Sequence, residues 1–207
     1  LSKKMKMKEW VPDYGPKDFN KSVEKSGATA IAARDFLIAY NVNLNTTSTR
    51  RANAVAFDIR EAGRLKREGN TLTGKILKDK KGVPLRQAGL FKDVKGIGWF
   101  IKEYGIAQIS YNLTNINTSP LHKVFEKTCE QATKRGLRVT GSELIGLVPK
   151  KVLIDTGKYF LKKQKRSKGI SENEIIKIAV KTLGLDELSE FKAKERVIEY
   201  ILEENNT

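Results

Sequence analysis

Residues 97–113 read IGWFIKEYGIAQISYNL and predict an antiparallel hairpin. Two runs rich in apolar residues flank a Tyr-Gly pair, which suits a tight turn between strands. Side chains alternate across a strand, so the second run has two different faces. One face is apolar, and the other carries Gln108, Ser110 and Asn112.

The sequence on either side of the hairpin predicts two strand and helix units. Residues 34–44 alternate as a strand, and residues 52–62 have apolar positions at helical spacing with Gly63 as the stop. After the hairpin, a helix over 119–136 leads into a strand over 137–148. The order βαββαβ predicts an α+β fold: a ferredoxin-like sheet with its helices on one face, followed by extra C-terminal helices.

The first 26 residues have the composition of a linker. A run of lysines is followed by two prolines and a glycine, which favour turns over long regular elements. We expect residues 1–26 to lead from an earlier segment into a compact body over 27–207. Because the chain begins with Leu1, we also expect its natural start to lie upstream.

Composition narrows the function classes. The 207 residues carry 40 Lys and Arg against 24 Asp and Glu, and the net charge of +16 attracts polyanions such as nucleic acid, anionic membranes or polycarboxylates. One cysteine forbids an intrachain disulfide, and one cysteine with one histidine is too few for a Cys/His zinc site. The apolar runs are too short for a membrane helix. We expect a cytoplasmic protein without a metal.

Three chemically notable residues are expected to be structural. Trp99 begins a strand and is expected to anchor the core. Cys129 is expected to be a small core residue, and His122 to pack or cap its helix. The last two lie seven residues apart on one predicted helix, roughly 10 Å, which is too far for a nucleophile and its base.

The polar side of the hairpin is the most informative feature. The first strand adds Asn41 and Asn43 to the face that carries the hairpin's amides and hydroxyl. If helices cover the opposite face, these groups lie together on an open face and can hydrogen-bond the heteroatoms of a ligand in a half-dry groove. An ordinary solvated sheet face is an equally weighted alternative.

Several blocks of the sequence resemble one known family. The blocks are Gly27–Thr29, Arg34 with Phe36–Asn41 and Asn43–Leu44, Lys95–Trp99, Gln108–Ser110 with Asn112–Leu113, Leu121–His122 and Gly141–Pro149. In this order they are similar to the C-terminal subdomain of glutamate formimidoyltransferase, found alone or fused to a formimidoyltetrahydrofolate cyclodeaminase. The resemblance covers about residues 10–203. Two departures are a segment over 64–92 that is longer than expected of the animal members, and a missing N-terminal subdomain.

The resemblance implies a transferase of two ferredoxin-like subdomains with a folate groove between their sheets. The family moves the formimino group of N-formimidoyl-L-glutamate to N5 of tetrahydrofolate, in histidine degradation and one-carbon metabolism. Its catalytic histidine lies in the N-terminal subdomain, so no catalytic residue is assigned here. That subdomain is then the expected partner, residues 1–26 are its end or linker, and residues 27–207 are the C-terminal subdomain. Homo-oligomer formation by the full-length protein is left open.

The same resemblance assigns the polar face to the groove. The expected folate- and substrate-binding residues are Asn41, Asn43, Gln108, Ser110, Asn112 and Glu143. The amides would orient the pterin or the formimino donor, and Glu143 would accept from an N–H group. A purely local role for Glu143 in the bend after Gly141 is equally weighted.

The basic surplus also fits a folate ligand. Cellular folates carry polyglutamate tails, which are rows of carboxylates that a lysine-rich surface attracts. Residues 60–95 hold 11 basic side chains against four acidic ones. The expected polyglutamate-binding residues are Lys75, Lys78, Lys80 and Lys81. Solubilising lysines without a ligand are the alternative.

Two other function classes compete with the transferase hypothesis. A basic α+β domain can bind RNA on its sheet, but that mode uses exposed aromatics where this pattern places Asn, Gln and Ser. Nucleic acid is therefore not the expected partner. The other class is an assembly or regulatory module without turnover of its own.

Overall fold

The computed structural model describes residues 1–70 and 73–205 and divides into two compact units. The boundary lies between Arg34 and Asp35. The division of the chain into a linker over 1–26 and a subdomain over 27–207 stays a prediction.

The first unit contains short helices. They are α1 (Ser2–Met5), a 3-10 turn (Lys8–Trp10) and α2 (Lys21–Ser26). Asn20 caps α2, because its side-chain oxygen accepts the backbone N–H groups of Ser22 and Val23 at 3.0 Å each. The lysine-rich start of the chain thus contains local helical structure.

The second unit is built on an antiparallel sheet. Its strands are β1 (Ile38–Leu44), β2 (Arg64–Leu65), β3 (Arg86–Gln87), β4 (Val94–Ile101), β5 (Ile106–Leu113) and β6 (Val139–Ile145). Four of them form one sheet in the order β4-β5-β1-β6. β1 therefore pairs with β5 on one side and β6 on the other, both antiparallel.

Helices cover one face of this sheet. The helices of the second unit are α3 (Thr49–Ile59), α4 (Leu121–Thr133), α5 (Lys150–Lys163), α6 (Glu172–Leu183), α7 (Ala193–Arg196) and α8 (Ile198–Asn205). Tyr40 and Tyr111 are fully buried in the core, and the Tyr111 hydroxyl lies 3.1 Å from Thr128 Oγ1 on α4. We call the face of Tyr40 and Tyr111 the helix side of the sheet.

The α3 helix lies unusually close to the edge strand β4. A Cβ atom on Gly98 would be 2.4 Å from the backbone nitrogen of Asn53. The Asn53 side chain accepts from the Gly98 N–H and donates to the Gly98 carbonyl, at 3.0 Å each. Glycine is needed because any side chain here would push the helix off the strand.

The segment between α3 and β4 forms a small meander. β2 and β3 pair antiparallel, and isolated bridges join Arg67 to Ile76 and Lys78 to Pro84. Its strand pairing is thus short and antiparallel.

The structure confirms the α+β class, the βαββαβ order and the additional C-terminal helices. The element bounds differ by a few residues, because β1 starts at Ile38 and β6 ends at Ile145. A register irregularity lies between Asn43 and Leu44, opposite the predicted bend at Gly141. In the described residues, no helix combines the length and the apolar character needed to cross a membrane.

Candidate functional site

Strand pairing places the six predicted groove residues on one face of the sheet. Asn43 stands opposite Gln108, and Asn41 stands opposite Ser110 on one side and Glu143 on the other. Asn112 is four positions from Gln108 along β5 and shares its face. We call Asn41, Asn43, Gln108, Ser110, Asn112 and Glu143 the amide face; it lies opposite the helix side.

The centre of the amide face is buried. Gln108 and Asn43 are 0% exposed and Asn41 is 6% exposed. Ser110 and Glu143 are half-buried, and only Asn112 is exposed. The expectation of an open face is therefore wrong for its three central amides.

Part of the cover comes from the segment that follows α6. The backbone N–H of Ser142 on β6 donates to the Gly184 carbonyl at 2.9 Å, and Glu187 then accepts a hydrogen bond from Asn43 Nδ2. A Cβ atom on Gly141 would be 2.5 Å from the Glu187 Cβ, so glycine at 141 makes room for this path. Sequence reasoning missed Glu187, because this segment has no periodicity or motif.

A hydrogen-bonded network joins the buried amides to two carboxylates. Gln108 Nε2 donates to Asn43 Oδ1 at 2.6 Å and to Glu143 Oε2 at 2.7 Å. Asn43 in turn donates to Glu187. The network fixes the orientation of all four side chains before any ligand arrives.

One acceptor of the network has no donor. Gln108 Oε1 is buried without a hydrogen-bond partner among the described residues. An unsatisfied buried acceptor costs about 1–3 kcal/mol, which a donor placed beside it would recover. Gln108 Oε1 is thus a buried acceptor that an incoming N–H group would satisfy.

Apolar side chains flank the amides. Ile97 is 58% exposed, Trp99 45% and Ile145 51%. Trp99 stands opposite Gln108 in the register of β4 and β5, so the two side chains share the amide face. The expectation that Trp99 anchors the core is wrong, because alternation along β4 puts Gly96 and Gly98 on the helix side and Ile97 and Trp99 on the amide face.

A concavity of about 520 Å³ opens beside the exposed end of the amide face. Its wall includes Ser110 and Asn112 of the amide face, Ile97 and Lys95 of β4, and Arg60. This volume lies in the range of small-molecule sites. Burial, assisted by nearby Arg86, lowers the pKa of the Arg60 guanidinium below its ordinary value.

The four predicted polyglutamate-binding lysines lie on the meander, away from this network. Lys75, Lys78, Lys80 and Lys81 are exposed. Asp79 shapes the tip by accepting the backbone N–H groups of Lys81 and Val83 at 2.8 Å each. No hydrogen bond or ion pair found among the described residues links these lysines to the amide face, so their role stays a prediction.

The histidine and the cysteine lie on α4, on the helix side. The His122 ring stacks on Tyr159 with centroids 4.4 Å apart. Burial lowers the pKa of His122, Lys123 adds to the effect, and Asp155 opposes it. Burial raises the pKa of the Cys129 thiol to about 11. In the described part of the chain, no cluster of three His, Cys, Asp or Glu residues could hold a metal ion.

Comparison with models of known protein families shows the family of this chain. The family model of the formiminotransferase domain matches residues 39–203, which is most of the chain and includes the four strands of the main sheet except Ile38 at the start of β1. The chain belongs to the formiminotransferase domain family. The match includes the whole amide face and Glu187, so the network described above lies within the family's domain.

Curated formiminotransferase relatives are longer than this chain. It is 43% identical over 203 residues to a formimidoyltransferase-cyclodeaminase of Gallus gallus, covering 98% of this chain and 33% of that protein. It is 36% identical over 161 residues to a glutamate formimidoyltransferase of Thermoplasma acidophilum, covering 78% of this chain and 44% of that protein. The chain thus spans about a third to less than half of the relatives it matches.

Proposed function

We propose that this chain supplies the C-terminal half of the folate groove of a glutamate formimidoyltransferase. The reaction is transfer of the formimino group from N-formimidoyl-L-glutamate to tetrahydrofolate. The observation that carries the proposal is the amide network around Gln108, with an unpaired buried oxygen, in a chain of the formiminotransferase family. The names of the relatives support the same reaction.

The chemistry of both ligands suits this network. Pterin rings and formimino groups present N–H donors, which Gln108 Oε1 and the Glu143 carboxylate can accept. The exposed Trp99 ring beside Gln108 offers an apolar surface for a flat heterocycle. Holding two reactants in contact accounts for a large part of the rate of a bimolecular transfer.

Proton transfer is assigned to a partner half. Attack of an amine on an amidine-like carbon needs a general acid or base close to both ligands. The histidine of this chain stacks on Tyr159 on the helix side, so the sheet separates it from the amide face. We therefore place the proton-transferring group on the N-terminal formiminotransferase subdomain.

Reconstitution tests this division. The chain mixed with tetrahydrofolate and N-formimidoyl-L-glutamate should give no formimino transfer, and addition of a separately produced N-terminal subdomain should restore it. Glutamate release measured by coupled assay is the readout. Turnover by the chain alone would contradict the assignment of proton transfer to the partner half.

The lysines of the meander are proposed to attract the polyglutamate tail of the folate. Because salt screens attraction between exposed charges, binding of a pentaglutamylated tetrahydrofolate should weaken steeply from 50 to 300 mM NaCl. The monoglutamate should show a much shallower dependence. Equal slopes for the two folates would remove the lysines from the proposal, and tighter binding of single-stranded RNA than of folate would favour the RNA hypothesis.

A further inference from the structure

A second concavity lies between α3 and α4 on the helix side of the sheet. Its volume is about 720 Å³. The lining side chains are Ser48, Arg50, Arg51, Ala54, Arg64, Gln131, Lys134 and Arg135. Five of these eight residues are cations. We call this concavity the arginine pocket.

The base of the arginine pocket is already organised. Asp58 forms ion pairs with both Arg64 and Arg135, so one carboxylate lies between two guanidinium groups. Arg64 also donates to the Ala54 carbonyl at 2.7 Å, and Arg135 donates to the Gln131 carbonyl at 3.0 Å. These bonds hold both guanidinium groups in place and leave a surplus of positive charge at the base.

The rim adds cations that form no ion pair with an acidic side chain in the described part of the chain. None of the ion pairs among residues 1–70 and 73–205 includes Arg50, Arg51 or Lys134. Together with Asp58, the five cations leave a net charge of +4 in one concavity. Clustered like charges repel one another, which raises the free energy of the empty pocket. A bound anion between them replaces this repulsion by attraction.

The lining also limits the kind of anion. Ala54 is its one apolar side chain, and none of the lining residues is aromatic. A ligand with a large apolar part or stacked bases would find little to contact here. Arginine donates paired N–H groups in a planar fork, a geometry that matches phosphate and carboxylate oxygens.

We propose that the arginine pocket binds a compact multivalent oxyanion with phosphate or carboxylate groups. The N-terminus of α3 supports this assignment, because Ser48, Arg50 and Arg51 all lie in its first turn or cap and that end of a helix carries partial positive charge. The site lies across the sheet from the amide face. It is therefore distinct from the proposed folate groove and stands independently of it.

Calorimetric titration of the intact chain tests the proposal at 150 mM NaCl. The probes are tripolyphosphate and citrate, which present phosphate and carboxylate groups on compact frames. At least one should bind with saturation at one site per chain. Tighter binding of tripolyphosphate assigns phosphate, tighter binding of citrate assigns carboxylate, and no saturable binding of either overturns the proposal.

Paired variants separate a built site from general electrostatic attraction. The double variant Arg50→Gln/Arg51→Gln should weaken binding at least tenfold. The control Lys158→Gln/Lys162→Gln removes the same charge from exposed positions on α5, outside the pocket, and should change binding less than twofold. Equal weakening in the two variants would overturn the proposal. Both pairs are exposed, so folding checked by circular dichroism should be unaffected.

Discussion

Replacement of Gln108 by methionine distinguishes a role of this residue in ligand binding from a role in the stability of the fold. Methionine has nearly the same length but no hydrogen-bonding amide, so Gln108→Met removes the unpaired Oε1 and both donations from Nε2. Removing the unpaired acceptor gains about 1–3 kcal/mol, and leaving Asn43 Oδ1 without its donor costs a similar amount. Glu143 is half-buried and can accept from water instead. The free energy of unfolding should therefore change by less than about 2 kcal/mol.

Folate binding should respond much more strongly. A ligand N–H that donates to Gln108 Oε1 loses that bond in the variant, and about 1.4 kcal/mol corresponds to a tenfold increase in Kd. The assay is calorimetric titration of tetrahydrofolate into the chain reconstituted with its N-terminal half, with urea unfolding of the chain in parallel. Gln87→Met, at an exposed position on β3, is the matched control and should change neither quantity.

Two results would refute this reasoning. An unchanged Kd in Gln108→Met, with stability also unchanged, would show that the unpaired oxygen contacts no ligand. A loss of more than about 4 kcal/mol in unfolding free energy would show that the network mainly holds the sheet together, since the gain and loss estimated above would then not cancel.

Two further predictions concern packing and pH. Gly98→Ala should destabilise the fold by about 1–3 kcal/mol, since its Cβ would lie 2.4 Å from the Asn53 backbone. The control Gly169→Ala, whose Cβ would lie 3.5 Å from Ser167 Oγ, should change the urea midpoint little. Because the pKa of His122 is lowered in the folded state, the unfolded chain binds the proton more readily, and stability should fall as pH drops below about 6.5. His122→Phe keeps a ring against Tyr159 and should flatten that slope in urea unfolding between pH 7.5 and 5; an equally steep slope would assign it to other groups.

The two-residue period of strands predicts which side chains share a face but not what covers them. Asn41, Gln108 and Asn112 were placed together correctly, because alternation along β1 and β5 is fixed by backbone geometry. The cover over their neighbour Asn43 comes partly from the segment around Glu187, which is 144 residues from Asn43 in the chain. Its path is irregular, so no local pattern predicts its contact with the sheet.

The wrong prediction that Trp99 lies in the core has a different physical cause. A large aromatic residue in a strand is usually buried, and its size alone predicted a core position. The neighbouring residues Gly96 and Gly98 decide otherwise, because α3 and Tyr111 fill the space on their side of β4. Two glycines two residues apart signal a strand whose backbone is approached closely on one face. Alternation along the strand then places Ile97 and Trp99 on the other face.

The sheet gives the two candidate sites different chemistry. On the amide face, neutral amides and carboxylates meet in a buried network with one unpaired acceptor, an arrangement that selects N–H donors by geometry and gains little from long-range attraction. In the arginine pocket, five cationic side chains surround one carboxylate; they attract anions from a distance and discriminate less by shape. Salt should therefore weaken binding in the arginine pocket far more than binding of a monoglutamate folate at the amide face. This contrast allows ligands at the two sites to be distinguished in one protein without any mutation.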